Sequence, residues 1–249
     1  MKQIPFDDEL PGEEKTVDDT LARLKQALCD GGRILSYKGL TESFGHISAR
    51  FPGQEKCLIT TRGALAFVQP NEIEEVDFEG NKLTRHSVPG APNEVFLHTE
   101  IYRARPEVLA IARTQSPWCE VYGIRLEPVR PVHDFGAMLM GETALFDEPM
   151  LGDVKDIGKR AVKRLGKNHA ILLRGNGNLV VGGSVEEAVV RAVFLDESAH
   201  LQYRAQVLGR KGVHYFSKHE TETHGVALSR PDRIQRSWDN WLRLAKTRL

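Results

Sequence analysis

The sequence predicts an α/β fold in which an antiparallel or mixed sheet is covered by helices. Three observations predict it. Segments with helical apolar spacing and short extended segments follow one another without strict β-α-β alternation. Three of the extended segments lie between residues 46 and 78, separated by turn residues, and read as a meander. Hydrophobic residues make up 41% of the 249 positions and charged residues 27%, so a sizeable core is available. We read a domain over residues 16–209, with an arm at 1–15 and a C-terminal extension at 210–249.

Each element follows from its local pattern. The first fifteen residues carry five acids and two prolines and read as a loosely held arm. A helix is expected from Val17 to Asp30, with Leu21, Leu24 and Leu28 on one side and Gly31-Gly32 as its stop. Extended segments follow at His46–Phe51, Cys57–Thr61 and Ile73–Phe78. Asn93–Arg105 is helical by its apolar spacing and closed by Pro106, and Val108–Ala112 suits a buried strand. After a variable stretch comes a helix near Val154–Leu165. The segments Ala170–Leu173 and Leu179–Val181 flank a Gly/Asn-rich turn and read as a hairpin. Ser184-Val185-Glu186-Glu187 is a capping box that opens a long helix to about Val207. Beyond it His214, His219 and His224 are spaced by five in a polar stretch, not at the i, i+4 interval of a helical metal pair, and read as a solvated loop. A last amphipathic helix aligns Ile234, Trp238, Trp241, Leu242 and Ala245, a face suited to packing on the body or on a neighbouring subunit.

Composition excludes several function classes. Thirty-four basic against 34 acidic residues give a net charge of +0, which removes the basic surplus that nucleic-acid or anionic-membrane binding needs. No stretch approaches a membrane span, and the acidic N-terminus lacks the apolar region of a signal peptide. Cys29, Cys57 and Cys119 show no C-x-x-C spacing and fit a reducing compartment. A soluble, cytoplasmic protein is expected.

Four stretches carry a family resemblance. They are Phe44-Gly45-His46-Ile47-Ser48-Ala49-Arg50; Leu58-Ile59-Thr60-Thr61-Arg62-Gly63; Pro92-Asn93-Glu94 with His98 and Tyr102; and Leu172-Leu173-Arg174-Gly175-Asn176-Gly177 leading into Gly182-Gly183-Ser184. In this order and spacing the sequence resembles the class II aldolase/adducin family. The resemblance implies a three-layer α/β/α sandwich with a largely antiparallel central sheet, and a homotetramer with active sites between subunits. It also implies a divalent metal held by a His-x-His pair after the buried strand and by a third histidine in a His-Gly turn. A glutamate before the first catalytic helix acts as acid/base in such members, and the substrate is often a sugar phosphate.

The departures from that pattern carry the functional expectation. Ala112-Arg113-Thr114-Gln115 stands where the His-x-His pair belongs, and Gly175-Asn176-Gly177 where the third histidine belongs. A guanidinium has no free lone pair for a metal, so no metal or other cofactor is expected. Arg113 instead offers a fixed charge and a planar fork for a carboxylate or enolate, with Gln115 and Asn176 as added donors. Glu94 matches the acid/base glutamate. His98, one helical turn on, either packs inside or reaches the substrate, and His46 is either a surface-turn residue or an anion donor. Asn93, Thr61 and Arg62 replace parts of the phosphate-binding turns, which favours a small anionic substrate with a carboxylate. His133-Asp134 could line the cleft, although such a pair in a loop is more often structural. Three readings remain open: a metal-independent lyase or isomerase working through an enolate, by decarboxylation, retro-aldol cleavage or enolisation; a metal enzyme with ligands relocated to Glu94, His98 or His46; and a non-catalytic, adducin-like assembly module.

Overall fold

The computed structural model describes residues 17–51, 53–84, 90–148, 150, 153–209 and 212–248. The expected arm at 1–15 lies outside them. Strands β1 (His46–Arg50), β2 (Lys56–Ile59), β3 (Glu74–Asp77), β4 (Ala110–Thr114), β5 (Ala144–Phe146), β6 (Ala170–Leu173) and β7 (Asn178–Gly182) form one sheet. Its order is β3-β2-β1-β4-β7-β6-β5. All neighbours are antiparallel except β5 and β6. Central strands bury both faces, so apolar residues occupy both sides of the period-2 alternation. Ile47, Ala49, Ala110, Ala112, Leu172 and Val180 face one core. Cys57, Ile59, Ile111, Leu173, Leu179 and Val181 face the other.

Helices cover both faces, giving the expected three layers. On the first side lie α1 (Val17–Tyr37), α3 (Pro117–Arg125), α5 (Val185–Val207) and α7 (Pro231–Arg248). On the second lie α2 (Val95–Ala104) and α4 (Val154–Leu165), packed on each other. Asp153 caps α4 by accepting from the amides of Lys155 and Asp156 at 2.9 and 3.3 Å. No helix among the described residues is long and apolar enough to cross a membrane.

Four local expectations are corrected. Helix α1 does not stop at Gly31-Gly32 but runs to Tyr37. These glycines serve close packing: a Cβ at Gly32 would sit 2.6 Å from the Leu65 carbonyl oxygen. The buried strand extends through Arg113 to Thr114, so Arg113 lies within it rather than after it. The variable stretch contains α3 and β5. The histidine-bearing tail is not all loop, because α6 (Lys218–Leu228) carries His219 and His224. Its start is fixed by a capping box in which Ser217 and Glu220 satisfy each other's backbone amides. The last helix packs its aromatic face on its own chain, where Ile234 and Trp238 are buried and Trp241 meets Phe194 edge-on.

Candidate active site

A polar seam runs from the sheet end into the interior because two periods coincide. On β1, His46, Ser48 and Arg50 alternate onto the face covered by α2. Along α2, Glu94, His98 and Tyr102 recur every four residues and form one ridge. Where the ridge crosses the strand, His46 Nδ1 lies 2.7 Å from His98 Nε2. His98 Nδ1 lies 2.6 Å from Ser48 Oγ, which in turn lies 2.6 Å from the Tyr102 hydroxyl. At the outer end His46 Nε2 stands 3.9 Å from Glu94 Oε2, too far for a hydrogen bond.

Arg113 joins this seam by strand pairing, since its Cα partner across the β1–β4 ladder is His46. The guanidinium is 3% exposed at residue level, yet its Nη2 donates only to Asn176, to Oδ1 at 2.5 Å and to the backbone oxygen at 3.2 Å. Among the described residues no carboxylate lies within ion-pair distance of it, and its Nε has no partner. Burial lowers its proton affinity, and the more distant charges of Glu94 and Glu120 raise it. Asn176 is placed by the β6–β7 turn. Gly177 lets that turn press on β4: with φ +71°, a Cβ there would lie 2.0 Å from the Thr114 carbonyl oxygen.

These groups meet at a cleft of about 440 Å³. His46, Glu94, Arg113, Gln115 and Asn176 line it, with Asn93, Arg62 and the exposed Phe44 at its edge. Seven of the nine residues proposed from the sequence therefore converge. Two do not. His98 is fully buried, with both ring nitrogens engaged, and is removed from substrate contact. Thr61 is buried after β2 and does not line the cleft. His133 bonds Ser198 and Asp134 pairs with His224, so neither belongs to the cleft. Sequence reasoning assigned no role to Ser48 or Tyr102. The signal was present, because Ser48 is two positions from His46 on a strand and Tyr102 four from His98 on a helix.

Burial lowers the basicity of both seam histidines. His46 falls well below its ordinary range, with His98 and Arg113 adding to the effect, and His98 falls to about 3, with Arg113 adding. Both rings are neutral at pH 7. Burial also pushes the Tyr102 phenol well above its usual range.

The model for the Class II Aldolase and Adducin N-terminal domain matches residues 26–203. The chain belongs to the class II aldolase/adducin family. Among curated relatives it is 30% identical over 203 residues to a 3,4-dihydroxyphthalate decarboxylase from Arthrobacter keyseri, covering 76% of this chain and 82% of the relative. It is 26% identical over 185 residues to a 3-oxo-tetronate 4-phosphate decarboxylase from Escherichia coli, covering 72% and 84%. In fold it matches L-fuculose 1-phosphate aldolase from Glaciozyma antarctica with a TM-score of 0.79 at 22% identity, over 95% and 94% of the two chains.

The residues at the family's metal positions do not fit a divalent ion. They supply a cation and two neutral amides, none of them an imidazole, thiolate or carboxylate ligand. Of the relocated set, His98 is withdrawn because both its ring nitrogens are engaged, which leaves His46 Nε2 and Glu94 Oε2, 3.9 Å apart, at the cleft. Among the described residues no group of three His, Cys, Asp or Glu side chains has metal-binding geometry.

Proposed function

We propose that this chain is a carbon–carbon lyase of the decarboxylase kind, acting without a divalent metal on a small carboxylate-bearing substrate. The observation that carries this reading is Arg113: a buried guanidinium that lines the same cleft as Glu94, with an unpartnered Nε and, among the described residues, no carboxylate in ion-pair reach. Burying a charge unpaired costs several kcal/mol, so such a group calls for an anion. The decarboxylase names of the relatives favour loss of CO2 over retro-aldol cleavage or enolisation, which would use the same intermediate.

The chemistry balances with the residues present. In a β-keto acid the bond between the carboxylate carbon and its neighbour breaks and its electron pair passes to the carbonyl β to the carboxylate; in an ortho-hydroxybenzoate the ring carbon takes the proton first and the pair then passes to the neighbouring oxygen. The resulting enolate oxygen faces Arg113, with Gln115 and Asn176 in reach of the same region as amide donors. CO2 leaves, and a proton drawn from water is delivered through the Glu94 carboxyl group to the carbanionic carbon.

The test is CO2 release from 3,4-dihydroxyphthalate and a set of β-keto acids, with the product mass read in the presence and absence of EDTA. Turnover that persists in EDTA is expected. Activity that appears only on adding manganese or zinc would overturn the metal-free reading, and no CO2 from any carboxylate would overturn the decarboxylase.

A further inference from the structure

We propose that Tyr102, Ser48 and His98 are positioning residues: through one directional hydrogen-bond chain they hold His46 as its Nε2–H tautomer and aim a neutral donor at the Glu94 carboxyl group. The inference rests on the reading of Glu94 as the proton carrier.

The direction follows from counting protons along the seam. The hydrogen-bond partner of the buried Tyr102 hydroxyl among the described residues is Ser48 Oγ. A buried phenol that accepted from Ser48 would leave its own proton unpaired, so Tyr102 donates. Ser48 has one proton, and with Tyr102 supplying the bond on one side it donates on the other, to His98 Nδ1 at 2.6 Å. A neutral imidazole that accepts at Nδ1 carries its proton at Nε2, so His98 donates to His46 Nδ1 at 2.7 Å. The same rule then leaves the His46 proton on Nε2. That atom is buried, has no partner, and faces Glu94 Oε2 across 3.9 Å. The reverse direction is worse at both ends: it strands the phenol proton and sets a bare His46 nitrogen against a carboxyl oxygen.

The chain is a lock rather than a proton wire. Passing a proton outward through His46 would require Tyr102 to end as a phenolate, and its burial opposes that. Its product is orientation. A shift of about 1 Å by Glu94 closes the His46–Glu94 hydrogen bond and fixes which carboxyl oxygen faces the substrate. Because both rings stay neutral, Arg113 remains the cation of the cleft while His46 contributes a donor without a competing charge.

The experiment is a long-range proton–nitrogen correlation spectrum of the full-length protein labelled with 15N-histidine. The sequence has nine histidines, so His46→Gln and His98→Gln, each of which removes one ring, serve to assign the two seam signals. In the wild type both rings should show a bare Nδ1 and a protonated Nε2, unchanged between pH 8 and 6. Tyr102→Phe removes the proton that sets the direction, so an Nδ1–H population of at least a tenth should appear in both rings. Ser48→Ala cuts the chain one link nearer the cleft and carries the same expectation if Tyr102→Phe does not fold. An Nδ1–H or cationic ring in the wild type overturns the inference, as does an unchanged spectrum in a folded variant. The two proposals fail separately: the locked tautomers without CO2 release refute only the decarboxylase, and CO2 release with an Nδ1–H His46 refutes only the lock.

Discussion

Replacing Arg113 by methionine should make the protein more stable and inactive. The side chain is buried, Met comes close to it in volume though two heavy atoms shorter, and the losses can be named. Two hydrogen bonds to Asn176 disappear, one short and one long, together worth about 2–4 kcal/mol for a charged donor. Asn176 is partly exposed, so water reaches the groups left behind. What is removed is the desolvation cost of a buried cation with no carboxylate among the described residues in ion-pair distance, several kcal/mol in its own right. The net expectation is a gain of about 1–2 kcal/mol, which for a chain of this size raises Tm by roughly 2–8 °C. Decarboxylation should fall by about 10²–10³, the scale of losing a main oxyanion-stabilising donor. Differential scanning calorimetry beside a CO2-release assay reads both numbers. A drop in Tm of several degrees, or activity within tenfold of wild type, would show that Arg113 is a satisfied structural residue and that the anion-site argument is wrong.

Glu94→Gln removes the proton carrier and keeps the anion site, so kcat should fall by about 10²–10⁴ while substrate affinity in calorimetry stays within a few-fold; parallel loss of affinity would refute the assignment. Stability should also depend on pH through buried histidines. His46, His98 (about 3) and His169 (about 4) are harder to protonate in the fold than in the unfolded chain. Between about pH 4 and 6.5 the unfolded state therefore binds more protons, so stability is complete above that window and declines as pH falls through it. Each ring contributes up to about 1.4 kcal/mol per pH unit. Urea denaturation at pH 7.5, 6 and 5 measures the slope, and a flat profile would mean that these rings titrate in the fold as they do in the unfolded chain. In α1, Gly32→Ala should cost about 1–3 kcal/mol despite the better helix former, because its Cβ meets the Leu65 carbonyl oxygen at 2.6 Å. Gly31→Ala, whose nearest contacts are movable side-chain atoms of Val189 and Ile47, should cost less, and the opposite ranking in urea midpoints would count against this packing.

How much of this was legible from the sequence depends on the range of the interaction that decided each feature. Every strand but β5 and most helices were visible because apolar period and turn residues are local, and Val154–Leu165 matches its prediction residue for residue. The end of α1 was misread because Gly31-Gly32 is locally a stop signal, and only the approach of Leu65 explains why glycine stands inside a helix. Helix α6 was missed although its capping box, Ser217 with Glu220, is local, because the histidines between Ser217 and Ser229 drew the reading toward metal spacing.

The site separates the same two ranges within one set of residues. Glu94, His98 and Tyr102 share a helical ridge and His46, Ser48 and Arg50 share a strand face, and both lines can be read from spacing alone. What spacing cannot say is where one line crosses the other. The crossing turns His98 from a substrate contact into a link between His46 and Ser48, because a residue met by strand side chains on both ring nitrogens has nothing left to offer a ligand. The β1–β4 register does the converse for Arg113, since pairing with His46 brings it to the outer end of the seam, on the cleft and, among the described residues, beyond ion-pair distance of any carboxylate. A cation unsatisfied by its own fold and a donor whose direction is set by a buried phenol then arise from one packing event, the seating of α2 on β1. A variant that loosens that seating without touching either group, such as Leu97→Ala in the core beneath α2, should therefore lower kcat and release the His46 tautomer together. Loss of one without the other would show that the two halves of the site are independently held.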